Sequence, residues 1–384
     1  MARFVHTADW QLGMTRHFLD EDAQPRFTQA RIDAIHRIGQ LAREQDCDFV
    51  VVGGDVFETN FVDRGIVIRA LDAMRSTPEV RYYLLPGNHD PLDASSVFDS
   101  PAFAEHAPDN VVVLRDEPVT DPSGVQIAGA PWRSKRPEED LVAAALRSAP
   151  ADGAARVVVG HGAVDTLSPD RDDPALISLS SLETAIEEGR ARYVALGDRH
   201  STTEVGSSGA IHYSGAPEPT DYDEVDPGNV LVVQLDADGM RVEPHRVGTW
   251  SFARRRFELS GRDDCDEVRR FIDALPEKSN TILKLSLVGQ VSLAVHAEFE
   301  SMLEDRRHLL GALEIWDRHS DLVTVPDDDD LDWLQLSGYA QEAAEELRSA
   351  ASTPADTGGG EVAGEALRLL YRLAGADRAH GGIR

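Results

Sequence analysis

Cysteine is nearly absent: Cys47 and Cys265 are the only two in 384 residues. Such a pair supplies neither a disulfide framework nor a thiolate metal cluster. Long apolar runs are missing too, and no window approaches the roughly 18–20 apolar residues that a membrane helix needs. Met1 leads straight into the apolar Phe4–Val5 with no signal-peptide pattern, so a cytoplasmic location is expected. Positive charge is scarce, with 38 Lys and Arg against 68 Asp and Glu, a net charge of −30. A polyanion gains affinity by releasing counterions as Lys and Arg neutralise phosphates, so this surface as a whole repels nucleic acid. Any nucleic-acid function then needs local basic spots, bound cations or a partner subunit. The plain meaning of the charge is solubility.

The composition is otherwise that of a globular protein, 41% hydrophobic, in a chain long enough for one large domain with smaller additions. Short β-branched runs alternate with helical patterns through the first 235 residues or so, the sign of a layered α/β domain. The runs are Phe4–His6, Phe49–Val52, Tyr82–Leu85, Val111–Leu114, Val125–Ala128, Val157–Val159, Tyr193–Leu196 and Val230–Leu235. Phe27, Ala30, Ala34, Ile35, Ile38, Leu41 and Ala42 share one face of a helix between the first two. From about Ser251 the pattern changes. A strand over Phe252–Leu259, a helix over Val268–Leu275 and an alternating strand through Leu283, Leu285 and Leu287 are expected. A helix near Leu293–Leu303 and a strand near Leu313–Trp316 complete a small α/β module. The acidic run Asp327–Asp330 reads as a solvated loop. Two helices follow around the flexible Thr353–Gly360 stretch, the first with Tyr339, Ala343, Leu347 and Ala350 on its apolar face, the second with Val362, Ala366, Leu369 and Leu373. The expected division is 1–250, 251–335 and 336–384.

Five of the strand-like runs end in polar clusters. They carry, in chain order, Asp9 with Gln11, Asp55, Asn88 with His89, His161, and Asp198 with His200. A single Asp after a strand more often caps the next helix than binds a metal. In open α/β sheets, however, ligands collect at the carboxyl ends of strands, and five such ends point to one shared site.

The segments His6-Thr-Ala-Asp9-Trp-Gln11-Leu-Gly13, Gly53-Gly-Asp55-Val-Phe57, Gly87-Asn-His89-Asp90, Gly160-His161-Gly162 and Gly197-Asp-Arg-His200 resemble the calcineurin-like metallophosphoesterases. The first two look like the SbcD-type branch, the nuclease component of a DNA double-strand-break repair complex. The resemblance spans about residues 3–235 and implies a four-layer α/β/β/α sandwich, with a small capping domain and C-terminal helices beyond it. It also implies two metal ions bridged by Asp55. Asp9, His200 and position 11 complete the first site, and Asn88, His161 and position 198 the second. His89 is implied as general acid or stabiliser of the leaving oxygen, with Asp90 beside it in the catalytic group. The implied partners are DNA, a coiled-coil ATPase like SbcC and a second copy of the chain in a homodimer, with no membrane.

The chemistry agrees with this assignment. Two cations roughly 3.5–4 Å apart bind both non-bridging phosphate oxygens and lower the pKa of a shared water. A carboxylate has two oxygens and can bridge them, while Asn88 adds a donor without adding charge. The family places His at positions 11 and 198, where this chain has Gln11 and Asp198. Both are hard oxygen donors, which favour Mn²⁺ or Mg²⁺ over Zn²⁺. The same replacements also fit a decayed site kept as a scaffold, and the acidic surface fits a phosphoesterase for small molecules or nucleotides.

Glu58 is a candidate for orienting phosphate, with a surface ion pair to Arg64 as the alternative. Arg133, Lys135 and Arg136 form one basic spot and Arg254, Arg255 and Arg256 another, candidates for phosphate-backbone contacts or for pairing with nearby carboxylates. His212 reads as a strand residue with a satisfied ring, and Trp10 and Trp132 as packing residues.

Overall fold

The computed structural model describes residues 2–170, 172–236, 239–324, 339–351, 362–367 and 369–370. Contacts divide the chain into two compact units, Met1–Ser251 and Phe252–Arg384.

In the first unit, one six-stranded sheet contains β1 (Ala2–Thr7), β2 (Phe49–Val52), β3 (Arg81–Leu84) and β4 (Val111–Val113) in parallel sequence. The second sheet takes the next six strands: β5 (Val119–Thr120), β6 (Gln126–Gly129), β7 (Arg156–His161), β8 (Tyr193–Gly197), β9 (Thr203–Glu204) and β10 (Ile211–Tyr213). Its order is β5-β6-β7-β8-β10-β9, parallel from β6 to β10. The chain then returns to the first sheet, where β11 (Asn229–Leu235) lies antiparallel to β1 and β12 (Met240–Arg246) antiparallel to β11. Strands β2 and β8 are apolar throughout, and β1 and β7 have apolar centres at Phe4–Val5 and Val157–Val159, because both faces are covered. The edge strand β12 alternates only briefly, with Met240 and Val242 half-buried against the inter-sheet core, before Pro244, which weakens its strand signal.

Three apolar layers define the packing. Helices α1 (Ala23–Glu44), α2 (Arg64–Arg75) and α3 (Pro101–His106) cover the outer face of the first sheet, with Ile35, Ile38, Val67 and Leu71 against Val50, Val52 and Tyr82. Helices α4 (Leu141–Ser148) and α5 (Leu179–Glu187) cover the second, with Val142, Leu146 and Leu182 against Val158, Val194 and Leu196. Between the sheets lie Phe4, Phe49, Val51 and Tyr83 from one side and Ile127, Val157, Val159 and Tyr193 from the other. Helix, sheet, sheet and helix therefore form four layers. His6 adds a polar link across the middle. Its Nε2 lies 3.2 Å from the Leu196 carbonyl, which can only accept, so its Nδ1 accepts from the Tyr193 hydroxyl at 3.0 Å. Burial pushes the His6 pKa down to about 3, which keeps the ring neutral.

In the second unit, β13 (Ser251–Leu259), β14 (Thr281–Val291) and β15 (Ala312–Ile315) form a sheet with β16 (Asp321–Thr324), which pairs with the far half of β14. Helices α6 (Arg262–Ala274) and α7 (Leu293–Arg307) complete it, with Val268, Ile272, Phe299 and Leu303 packed on Leu283, Leu285 and Leu287. The last described elements are α8 (Tyr339–Ala351) and the helical residues 362–367, 369 and 370. Their inward faces match the expected ones only in part: Leu347 packs as expected, but the fully buried residues are others. Ala344 and Leu367 are buried against Leu293 and Ala297 of α7, whereas Tyr339, Val362 and Leu369 are exposed. In Ala-rich helices several faces carry similar apolar content, so the choice is made by the fit against α7. Asp327–Asp330, Leu373 and the Thr353–Gly360 stretch lie outside the described residues.

A loop near the end of the first unit depends on one buried carboxylate. Glu218 is fully buried and accepts from the Thr249 and Trp250 amides at 3.0 Å, from the Thr249 hydroxyl at 2.9 Å and from Arg37 Nη2 at 2.5 Å. Removing it leaves the amide of the buried Trp250 without its partner and breaks the ion pair with the partly buried Arg37. Glu218→Ala is expected to lower stability by roughly 3 kcal/mol in urea unfolding. A change within experimental error would show that the loop does not depend on this carboxylate.

Candidate metal centre

The strand ends of both sheets meet at one place. β1 delivers Asp9 and Gln11, β2 delivers Asp55, β3 leads to Asn88 and His89, His161 closes β7, and Asp198 follows β8. Backbone bonds fasten these turns to one another. The Asp9 amide donates to Gly54 O at 3.0 Å, Gln11 N to Asp55 O at 2.9 Å, and Gly162 N to Gly197 O at 3.1 Å. The Asp198 amide donates to the Asp9 carboxylate at 3.0 and 3.1 Å, joining one sheet to the other.

These turns are strained. Among the described residues, seven non-glycine residues have positive φ, and four of them are here: Asp9 (53°), Gln11 (44°), Asp55 (52°) and Asp198 (96°). Each such residue costs roughly 1 kcal/mol or more, and such strain gathers where the positions of side chains matter. Glycine is required close by. A Cβ on Gly54, itself at φ +99°, would lie 2.2 Å from His161 Nδ1, and one on Gly87 would lie 2.2 Å from Asp55 Oδ1.

Asp9, Asp55 and His161 each offer a donor atom, and these atoms lie within 4.8 Å of one another. All three residues are buried. The Gly53 carbonyl lies 2.8 Å from His161 Nδ1 and can only accept, so in the neutral ring Nε2 carries the lone pair. That nitrogen faces Asn88 Oδ1 at 2.7 Å, Asp55 Oδ2 at 3.5 Å and Asp198 Oδ1 at 3.8 Å. Nitrogen and oxygen acceptors thus crowd one point with a single shared proton to satisfy them. Gln11 Oε1 is likewise buried without a hydrogen-bond partner. This donor set fits a divalent cation.

The electrostatics say the same. Burial pushes the Asp9 carboxyl up to about 6 against the pull of His200 and His161. For Asp55 burial also opposes ionisation, but His161 and His89 outweigh it and hold the carboxyl below its usual range. Burial opposes the charge on His161 too, yet Asp55, Asp9 and Asp198 raise it well above an ordinary histidine. The imidazolium proton serves as the counter-charge of the carboxylate cluster, a role that a cation fills better.

The remaining candidates occupy varied places. His200 presents Nε2 to the Gln11 amide, with Nε2 of each 3.4 Å apart. His89 Nδ1 is bonded to the Glu58 carbonyl at 3.0 Å, its Nε2 lies 3.9 Å from Asp55 Oδ2, and its amide donates to Asp55 Oδ1 at 3.0 Å. Asp90 is fully buried and faces backbone: its oxygens accept from Gly87 N at 2.7 Å and Phe57 N at 2.9 Å. Burial and the nearby Asp55 push its pKa up to about 7. Glu58 does not pair with Arg64, which is bound to Glu105 at 3.4 Å. Its Oε1 is instead 3.9 Å from His89 Nδ1, and its Oε2 is buried without a hydrogen-bond partner. Arg133 grips Asp116 at 2.5 Å, while Lys135 and Arg136 are exposed. Arg254, Arg255 and Arg256 are exposed on β13 in the second unit, where alternation puts Arg254 and Arg256 on one face and Arg255 on the other. The Arg254 guanidinium lies over Trp316 and Arg255 near Phe257 and Phe271. His212 stacks on Tyr193, but its Nδ1 has no hydrogen-bond partner, so its ring is packed rather than satisfied. Trp10 is buried and bonded to Thr7, and Trp132 donates to the His161 carbonyl at 2.8 Å.

Sequence reasoning missed Thr220 and Glu224, which stand behind His200. His200 Nδ1 lies 2.6 Å from Thr220 Oγ1 and 3.1 Å from Glu224 Oε1. Both sit in a loop crowded with acids, Asp221, Asp223 and Asp226, where nothing local marks one carboxylate as different.

A family model described as calcineurin-like phosphoesterase matches residues 2–202. The chain is similar to a Rhodobacter capsulatus protein named as the D component of the nuclease SbcCD, 23% identical over 357 residues, which cover 78% of this chain and 85% of that one. A protein of the same name from Bacillus subtilis is 28% identical over 134 residues, 33% of this chain and 31% of the other. Among solved structures, a dimetal phosphatase from Danio rerio aligns with 64% of this chain and 96% of its own, at 13% identity and a TM-score of 0.42. The protein TT1561 of Thermus thermophilus aligns with 64% and 99%, at 9% identity and a TM-score of 0.41.

A cation entering this centre displaces the proton on His161 and the one that Asp9 keeps up to about pH 6. Binding therefore releases protons, and affinity rises with pH. Calorimetric titration with Mn²⁺ is expected to give tighter binding at about pH 8 than at about pH 5.5, with heats that depend on the ionisation enthalpy of the buffer. Equal affinity at the two pH values would contradict the protonation states assigned here.

Proposed function

The chain belongs to the calcineurin-like phosphoesterase family, and from that we propose that it is a metal-dependent nuclease hydrolysing DNA phosphodiesters. The observation that carries the reading is the convergence of Asp9, Asp55 and His161 within 4.8 Å, ringed by Gln11, Asn88, Asp198 and His200. We place one cation with Asp9, Gln11, Asp55 and His200 and a second with Asp55, Asn88, His161 and Asp198. Divalent ions bound there supply Lewis acidity toward phosphate oxygens and a nucleophile at neutral pH. Mn²⁺ or Mg²⁺ suits the hard donors Gln11 and Asp198 better than Zn²⁺.

The protein's own side chains then do the following. Asp55, kept ionised by His161 and His89, would serve both positions. His89 donates through Nδ1 to the Glu58 carbonyl, so only the doubly protonated ring would carry a proton on Nε2; that imidazolium would give it to the departing sugar oxygen and return to the neutral Nδ1–H form. Asp90 braces the turns on either side, and the partly exposed Glu58 stands next to His89.

The wider assignment follows the similarity to the two SbcCD relatives. Residues 1–250 form the catalytic domain, 251–335 a cap that orients DNA, and 336–384 a segment that docks onto a coiled-coil ATPase. The exposed Tyr339, Val362 and Leu369 favour docking by that segment. A homodimer in the cytoplasm completes the proposal. DNA contacts come from Arg133, Lys135 and the Arg254–Arg256 strand, local basic spots on a chain of net charge −30.

Digestion of linear DNA tests the reading. Cleavage is expected with Mn²⁺, weaker or absent with Zn²⁺, and at least about a hundredfold slower for Asp55→Ala. Cleavage that survives Asp55→Ala would remove the nuclease assignment, and hydrolysis of small diesters without DNA cleavage would point to a small-molecule phosphoesterase. Filter binding tests the basic strand separately. Replacing Arg254, Arg255 and Arg256 with Ala should lower DNA affinity about tenfold and flatten its salt dependence. Unchanged binding rejects a role for them.

A further inference from the structure

The two site histidines are held from behind in different ways. His161 Nδ1 meets a backbone carbonyl, Gly53 O at 2.8 Å. His200 Nδ1 meets a side-chain relay: Thr220 Oγ1 at 2.6 Å, whose hydroxyl donates to Glu224, and Glu224 Oε1 itself at 3.1 Å. A carboxylate can only accept, so the relay fixes the proton on Nδ1 and leaves the Nε2 lone pair facing Gln11.

The loop bearing this relay is tied down along its length. Arg31 Nη2 donates to Pro219 O at 3.0 Å and Arg16 Nη2 to Thr220 O at 2.7 Å. The Val225 amide donates to Ser201 Oγ at 2.9 Å, one residue from His200. Arg31 is buried in α1 and also donates to the Trp10 carbonyl at 3.2 Å, so the same guanidinium holds the turn that carries Gln11. The Glu224 side chain is only 6% exposed.

We infer that Glu224, acting through Thr220 and directly, is a positioning residue that strengthens His200 as a ligand and so offsets the weak amide donor Gln11. The inference rests on the reading above in which Asp9, Gln11, Asp55 and His200 share one cation. A carboxylate behind an imidazole fixes its orientation and raises its basicity, whereas an amide oxygen binds more weakly than the imidazole it replaces. The asymmetry matches the need. His161, with Asn88, Asp55 and Asp198 around it, has only a carbonyl behind it, and His200, opposite an uncharged amide, has a carboxylate.

Mn²⁺ titration of the full chain, following the free ion by electron paramagnetic resonance, provides the test. The natural protein should bind two ions. Glu224→Gln keeps the side-chain shape and should leave one ion at its original affinity while weakening the other about 10–100-fold, with an unchanged melting temperature. Thr220→Val should act in the same direction. In a Gln11→His background the effect of Glu224→Gln should shrink, because a second imidazole replaces the weak donor. Two ions bound with unchanged affinities in Glu224→Gln would overturn the role of Glu224 alone, and so would equal weakening of both. A natural protein that binds no Mn²⁺ would overturn the two-cation reading itself and this inference with it.

Discussion

Negative charge confined away from water is the constraint around which the first unit is organised. Asp9, Asp55 and Asp90 are buried, with the exposed Asp198 at their edge, 3.8 Å from His161. Unscreened carboxylates in such a place repel one another and lose hydration, which is why Asp9 and Asp90 hold their protons to about 6 and about 7. The chain answers with the His161 imidazolium, with backbone amides aimed at Asp9, Asp55 and Asp90, and with a donor geometry that a divalent cation completes. The strained turns at Asp9, Gln11, Asp55 and Asp198 follow from the same demand, since relaxing them would swing the carboxylates apart.

The positively charged groups nearby are placed to organise rather than to neutralise. Arg31 is buried and bonded to the carbonyl oxygens of Trp10 and Pro219, and burial lowers its pKa to about 10, against the pull of Glu218 and Glu224, without removing its charge at neutral pH. It fastens two turns that carry site residues. Glu218 performs the complementary task with its oxygens turned to amides of Thr249 and Trp250. Arg31 and Glu218 are thus bonded largely to backbone groups, with Arg37 also paired to Glu218, and they fasten loops beside the centre.

The sequence displayed the layered α/β class and the main strands because parallel strands buried on both faces read as continuous apolar runs, as Phe49–Val52 does. The polar clusters were legible for the same reason, each standing immediately after such a run. The edge strand Met240–Arg246 was not, because its alternation covers few residues and includes Pro244. Arg31, Thr220, Glu218 and Glu224 were hidden more deeply. Their importance comes from contacts over long stretches of chain, such as Arg31 with Pro219 at a separation of 188, and no local pattern encodes those. In the terminal helices the apolar residues were visible, but the face they turn inward was decided by the surface of Leu293 and Ala297.

The bond from the Asp198 amide to the Asp9 carboxylate spans 189 positions of the chain, and the partners of His161 are drawn from both sheets. Asp9, Asp55 and His161, whose donor atoms converge, come from three separate strand ends in two different sheets. The donors converge only where both sheets are in place, so a cation bound there would favour the whole folded first unit over any local piece of it.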